Sequence, residues 1–86
     1  MITIHKFILD HDDVQRITIQ ESAIPLHVGL DPNGTACIWF KVQTDQALIQ
    51  RRVFMVGTGN PMPDLNLIHV GSFTEGHFVW HIFTSH

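Results

Sequence analysis

The chain has little of what several functional classes require. Its one cysteine, Cys37, excludes an intrachain disulfide, and the apolar residues around it indicate a buried, unreactive thiol. Only five Lys and Arg residues occur in a chain of net charge −3, which argues against non-specific nucleic-acid binding. No apolar run approaches the roughly 18 residues of a membrane span, and the N-terminus has no secretion signal. We therefore expect a cytoplasmic protein that does not enter a membrane.

Alanine is also scarce, with three residues, and no window of a dozen residues shows a helical apolar stripe. Beta-branched and aromatic residues dominate instead, which predicts a mainly β protein. The length of 86 residues predicts a single β domain over residues 1–86. The predicted strands cover residues 2–9, 15–20, 24–30, 36–43, 50–57, 67–73 and 77–84.

Three connections carry turn residues. His11-Asp12-Asp13 is expected to turn the first pair of strands. Asp31-Pro32-Asn33-Gly34 is typical of a hairpin turn, and Thr74-Glu75-Gly76 is expected to join the last two strands.

Alternation with a period of two assigns faces to the third and fourth strands. The predicted core side chains are Ile24, Leu26, Val28 and Leu30 on one strand and Ala36, Ile38, Phe40 and Val42 on the next. If the hairpin pairs these strands, Trp39 lies near His27 on the opposite, half-polar face.

The last strand is apolar on both sides, because Phe78, Trp80 and Ile82 alternate with Val79, His81 and Phe83. A sheet with one wet face cannot accommodate this pattern. We predict a small antiparallel β-sandwich or partly open barrel of six to seven strands, with the last strand central or covered by another copy of the chain. A homo-oligomer is expected, with interface residues Trp39, Trp80 and Phe83.

The segment from Arg51 to Pro63 is the most specific part of the chain. Two cations precede a short apolar run, and Gly57-Thr58-Gly59-Asn60 then leads into two prolines. Gly57 and Gly59 can each adopt φ > 0, and such a loop can direct backbone N–H groups at an anion while an arginine supplies a bidentate guanidinium. The predicted ligand-binding residues are Arg51, Arg52, Gly57, Thr58, Gly59, Asn60 and His69.

A second interpretation of this segment needs no ligand. The glycines then serve a tight reversal of the chain, and Asn60 bonds its own main chain. The two arginines point to opposite faces of a regular strand, so only one of them can serve a given pocket.

Seven histidines raise the question of metal binding, but none stands with other ligands at a suitable spacing. We predict no metal and no cofactor. Catalysis would depend on His27, His69 or His81 as a base, and no nucleophile or paired carboxylates accompany them in a recognisable motif. The sequence therefore predicts a protein that is not an enzyme.

The chain resembles a family of small, mainly bacteriophage-encoded proteins known only as a domain of unknown function. The shared motifs are Ile4-His5-Lys6-Phe7, Cys37-Ile38-Trp39, the run from Arg52 to Met62, the run from Leu67 to Phe73, and Phe78-Val79-Trp80-His81-Ile82-Phe83. Where that family commonly has His before the first proline of the loop, this chain has Asn60. The resemblance implies a phage source and the cytoplasm of a bacterial host, and it implies no activity.

These observations lead to two main functional hypotheses. The first is a homo-oligomeric, non-enzymatic phage protein that sequesters a small anionic, nucleotide-type ligand and so counters host defence. The alternative is a protein-interaction module that binds and inhibits a host or phage protein. A small His-dependent enzyme is the third interpretation.

Overall fold

The seven strands of the chain pair into two antiparallel sheets that face each other. A computed structural model describes all 86 residues, and it contains no helix, so no helix is present that could span a membrane. The strands are β1 (Ile2–Ile8), β2 (Val14–Gln20), β3 (Ile24–Leu30), β4 (Ala36–Gln43), β5 (Leu48–Gly57), β6 (Ile68–Glu75) and β7 (Phe78–Thr84). One sheet has the order β1-β4-β3 and the other β2-β5-β7-β6. The predicted antiparallel β-sandwich is confirmed, and neither sheet closes into a barrel.

The core lies between the two sheets and takes one face from each. Its buried side chains are Leu9, Ile17, Ile19, Ala23, Val28, Ala36, Ile38, Phe40, Val42, Val53, Met55 and Ile82. β3 packs against β6 where the two sheets meet. The alternation predicted for β4 is confirmed, because all four of its expected core residues are buried.

The faces predicted for β3 are correct in its second half and wrong in its first half. Val28 is buried, and Leu30, which pairs with the inward Ala36, lies on the predicted face although it is 42% exposed at the end of the strand. Ile24 pairs with the outward Lys41 and is 53% exposed, and Leu26 is 46% exposed. The cause at Ile24 and Leu26 is a bulge between Pro25 and His27, where the pairing register with β4 shifts by one residue. An extra residue in one strand shifts the alternation by one position, so residues before the bulge face the opposite way from the pattern that holds after it. The sequence pattern alone assumed an unbroken alternation.

Two of the three predicted turns are confirmed. The β3–β4 hairpin has Gly34 at φ +79°, with the Gly34 N–H donating to the Asp31 carbonyl at 2.9 Å. The β6–β7 hairpin turns at Gly76, which has φ +61°. The segment at residues 11–13 does not join paired strands, because β1 pairs with β4 and β2 pairs with β5. It carries the chain from one sheet to the other.

β7 is a central strand, hydrogen-bonded to β5 on one side and β6 on the other. Its inward side chains include the fully buried Ile82, while His81 and Phe83 lie half-buried on the outward face. This agrees with the expected central position of the last strand.

The Asp31 carboxylate organises the β3–β4 hairpin and connects it to β1. Oδ1 accepts the backbone N–H groups of Asn33 at 2.9 Å and Thr35 at 3.0 Å, and Oδ2 accepts the Lys6 ammonium at 3.0 Å. The Cys37 thiol lies 3.8 Å from Oδ2 and is buried, as predicted. Hydrogen bonds from Thr35 and Lys6 favour the ionised form, so they hold the pKa of Asp31 below its ordinary value.

This lowered pKa predicts a specific loss of stability in acid. A carboxyl whose pKa is lower in the folded than in the unfolded protein stabilises the fold above about pH 4, and this stabilisation disappears as the pH falls through the folded pKa. Urea midpoints measured from pH 6 to pH 2 should therefore fall further for the wild type than for Asp31→Asn. Asp45→Asn, in the β4–β5 turn, is the control and should follow the wild type. Parallel curves for wild type and Asp31→Asn would contradict the assignment.

Candidate functional site

The glycine loop at the end of β5 forms a tight turn. The Asn60 N–H donates to the Gly57 carbonyl at 3.0 Å, and Gly59, the third residue of the turn, has φ +88° as a type II turn requires. The expectation of positive φ is met at Gly59 but not at Gly57. A Cβ at Gly57 would lie 2.9 Å from Nδ2 of the exposed Asn60 side chain, which can move, and 3.3 Å from the Trp80 ring, so the close approach of the indole favours glycine there. The turn conformation accounts for Gly59 and this close packing for Gly57.

His81 connects this turn to the neighbouring strand. Its Nε2 lies 2.7 Å from Thr58 Oγ1, and its Nδ1 lies 2.7 Å from Ser72 Oγ. In a neutral imidazole one nitrogen donates a proton and the other accepts one, so one hydroxyl accepts and the other donates. A catalytic triad also needs a carboxylate that orients the histidine. Both ring nitrogens of His81 contact hydroxyls, and the only histidine paired with a carboxylate is His11, which contacts Glu75.

The sequence-based site omitted His81, although its neighbour Thr58 was included. The signal that could have found it is the hairpin itself. A turn at Gly76-His77 places Glu75 opposite Phe78, and counting back along both strands then pairs Ser72 with His81.

Arg51 points into the molecule. The residue is only 4% exposed. Its Nη1 donates to the Ala23 carbonyl at 2.6 Å, and its Nε donates to the Ser85 carbonyl at 3.1 Å. Its guanidinium carbon lies 5.5 Å from the centre of the Phe40 ring. Burial lowers the pKa of Arg51. These contacts give Arg51 a structural role between the two sheets.

Arg52 points to solvent, on the opposite side of β5, as the predicted alternation requires. It lies directly across from Arg16 on β2, and both side chains are exposed. Its guanidinium carbon lies 5.5 Å from the centre of the Phe54 ring. Neither arginine has a carboxylate within ion-pair distance.

The outward face of the four-stranded sheet combines cations with aromatic rings. We call this surface the outer basic face; its members are Arg16, Arg52, Phe54, His69, His81 and Phe83. Phe83 is paired with Phe54 on one side and with His69 on the other, and the His69 and Phe83 ring centres are 5.0 Å apart. No Asp or Glu occupies an outward position on the four strands. In a chain of net charge −3, this face is positive.

The structure separates the predicted ligand-binding residues into groups. Thr58 contacts His81. Arg52 is farther away, because His81 pairs with Val56 and Arg52 precedes Val56 by four residues, about 13 Å along the strand. Arg52 and His69 share the outer basic face. Gly57, Gly59 and Asn60 form the turn, and Arg51 lies inside. No single pocket collects the whole set.

The three predicted interface aromatics lie on three different surfaces. Trp39 is on the outward face of the three-stranded sheet, with its ring centre 5.4 Å from that of His27, as the hairpin predicted. Phe83 belongs to the outer basic face. Trp80 lies beside the glycine turn, with its ring centre 5.8 Å from that of His11 and 5.5 Å from that of Phe78. One flat interface cannot contain all three.

Candidate metal ligands do not converge. No three His, Cys, Asp or Glu side chains are grouped so that they could hold a metal ion. His11 forms its one side-chain hydrogen bond with Glu75, and His81 bonds only to the hydroxyls of Thr58 and Ser72.

The contrast between the two arginines makes a testable prediction. Arg51→Met leaves two backbone carbonyls without their donor, each costing about 1–3 kcal/mol, so we expect a loss of about 3 kcal/mol in the free energy of unfolding. Arg52→Met, one residue away and exposed, should cost less than about 1 kcal/mol. Urea denaturation measures both. Equal losses for the two variants would contradict the structural role of Arg51.

Comparison with known proteins identifies the family but no function. No curated protein and no solved structure matches the chain. A family model described as "Domain of unknown function (DUF7352)" matches residues 1–86, the whole of the chain. The chain therefore belongs to the DUF7352 family of domains of unknown function.

Proposed function

We propose that this domain is a non-enzymatic binding protein that holds a small anionic, nucleotide-type ligand on the outer basic face. The observation that carries this proposal is the pair of exposed arginines, Arg16 and Arg52, directly opposite each other on β2 and β5 with no carboxylate to neutralise them. Both guanidinium groups remain free to donate to one bound anion.

Physical chemistry favours an anion at this position. Like charges directly opposite each other destabilise a pair of strands, and an anion between them removes the repulsion. Guanidinium groups bind phosphate and carboxylate through two parallel hydrogen bonds, which adds orientation to attraction. The ligand contacts proposed here are Arg16 and Arg52, with Arg51 serving the fold instead.

Aromatic rings next to the arginines support a ligand with a planar group. The Phe83 and His69 rings lie in contact, and both are partly accessible on the outward face. A nucleobase stacks on such rings, and each base gains about 1–3 kcal/mol from stacking. A phosphate at the arginines and a base over Phe83 are consistent with a nucleotide.

We further propose a biological setting for this binding. A phage protein of this kind, present in the bacterial cytoplasm in sufficient amount, would lower the free concentration of a host nucleotide signal used in defence. Simple sequestration needs no catalytic group. The contacts of His81 agree with such a role, because it bonds to two hydroxyls and to no carboxylate that would orient it as a catalytic base.

The other sheet offers a second surface, suited to contact with another protein chain. The outward face of the three-stranded sheet exposes Ile2, Ile4, Ile24 and Leu26, which are 62, 60, 53 and 46% exposed and surround Lys41. Contiguous exposed apolar side chains of this kind mark interaction surfaces in soluble proteins. We propose that this face joins copies of the chain into a homo-oligomer, while the outer basic face stays open to ligand.

Ligand binding is tested with ATP, cyclic AMP and cyclic di-AMP by thermal shift and titration calorimetry. A ligand at about 100 times its Kd should add roughly 2.7 kcal/mol to the free energy of unfolding. Arg16→Ala and Arg52→Ala should each raise the Kd at least about tenfold, because each removes a charged hydrogen-bond donor. Lys41→Ala, a cation on the opposite sheet, is the control and should bind the ligand normally; because Lys41 lies on the face proposed for assembly, the mass of this variant is measured alongside. No response to any of the three nucleotides would contradict the proposal.

Assembly is tested by sedimentation velocity. Ile4→Asp should lower the mass to that of one chain, because a charge in an apolar contact is strongly unfavourable. Leu48→Asp places the same charge at a residue that is equally exposed, 61% against 60%, but on the four-stranded sheet. This control should keep the wild-type mass. A wild-type protein that sediments as a single chain at 100 μM would overturn the proposed oligomer.

A further inference from the structure

A groove opens beside β5 where its neighbour β2 begins. The Met55 N–H donates to the Asp13 carbonyl at 3.1 Å, one residue before the start of β2, and β5 continues to Gly57 without a partner on this side. Pro61 and Pro63, in the loop that follows the glycine turn, line the groove. Its volume is about 490 Å³, and its other apolar walls come from Val14, Phe54, Met55 and Trp80. This volume lies within the range of small-molecule sites.

The end of the groove is held rigidly by Trp80. Its indole N–H donates to Glu75 Oε1 at 3.3 Å, and the same oxygen lies 2.6 Å from His11 Nε2. The indole ring lies directly over Gly57, where a Cβ would approach it to 3.3 Å. Proline fixes φ in the opposite wall. A groove with walls fixed in this way loses little conformational freedom when a ligand binds.

Asp13 is the one charged residue in the groove lining. Its polar companion Asn60 is neutral, and none of the five Lys and Arg residues lines the groove. The Asp13 carboxylate forms no ion pair within the chain. Charge complementarity therefore favours a cationic group next to Asp13, with an apolar body against the walls. An indole face also attracts an ammonium group.

We propose that this groove binds a small organic cation, an amine attached to an aromatic or branched apolar body. The ammonium group pairs with Asp13, and the apolar body lies between Pro61, Pro63 and Trp80. Phe54 borders both this groove and the outer basic face, but the ligand contacts here are Asp13, the prolines and Trp80 and not the arginine pair, so the inference does not depend on the function proposed above. The ligand of the groove has the opposite charge.

Three probes of nearly equal size test the charge preference: benzylammonium, benzyl alcohol and phenylacetate. Each is titrated into the ¹⁵N-labelled protein, and chemical shifts are followed at the Gly57 and Asn60 amides and the Trp80 indole. The Trp39 indole, on the other sheet, serves as the internal reference. Benzylammonium should bind most tightly, benzyl alcohol more weakly, and phenylacetate least. Equal affinities for all three probes, or shifts confined to Trp39, would overturn the proposal.

A pair of variants tests the role of the carboxylate. Asp13→Asn should reduce the affinity for benzylammonium up to about fivefold, the upper range for a partly exposed ion pair, and leave that for benzyl alcohol unchanged. Asp12→Asn removes the same charge one residue away, outside the groove lining, and should have a smaller effect. An equal loss in both variants would assign the preference to the overall negative charge and overturn a specific site at Asp13.

Discussion

The apolar layer shared by the two sheets is the constraint on which the other features depend. Each strand gives one face to this layer, so the position of a residue relative to it decides whether the residue supports the fold or meets a ligand. Ile38, Phe40, Val53 and Ile82 are fully buried there and hold β4, β5 and β7 in place. Both outward faces then remain, one with exposed apolar side chains and one basic.

Strand positions could be predicted from the sequence because beta-branched runs alternate with turn residues throughout the chain. The faces could be predicted only where a strand is regular, as in β4. At Leu26 the bulge in β3 reverses the alternation, and a second bulge between His69 and Gly71 does so in β6. A bulge depends on the neighbouring strand and leaves no pattern in its own sequence, which is why the β3 assignment failed.

The candidate site shows the same limit at the level of single side chains. Alternation predicted that Arg51 and Arg52 lie on opposite faces, but it could not tell which of them faces inward. That choice depends on the Ala23 and Ser85 carbonyls, which come from distant parts of the chain and need a donor inside the molecule. Arg16 was not recognised either, because the pairing of β2 with β5 places it opposite Arg52, which is 36 residues away in the sequence.

Charge separation connects the two proposed sites. The outward positions of the four-stranded sheet carry arginines and histidines, while the carboxylates lie mainly in connections such as residues 10–13. Asp13 and Arg16 are three residues apart, yet Asp13 lines the groove just before the start of β2 and Arg16 lies on the outer basic face. A short strand thus carries opposite charges to two neighbouring surfaces.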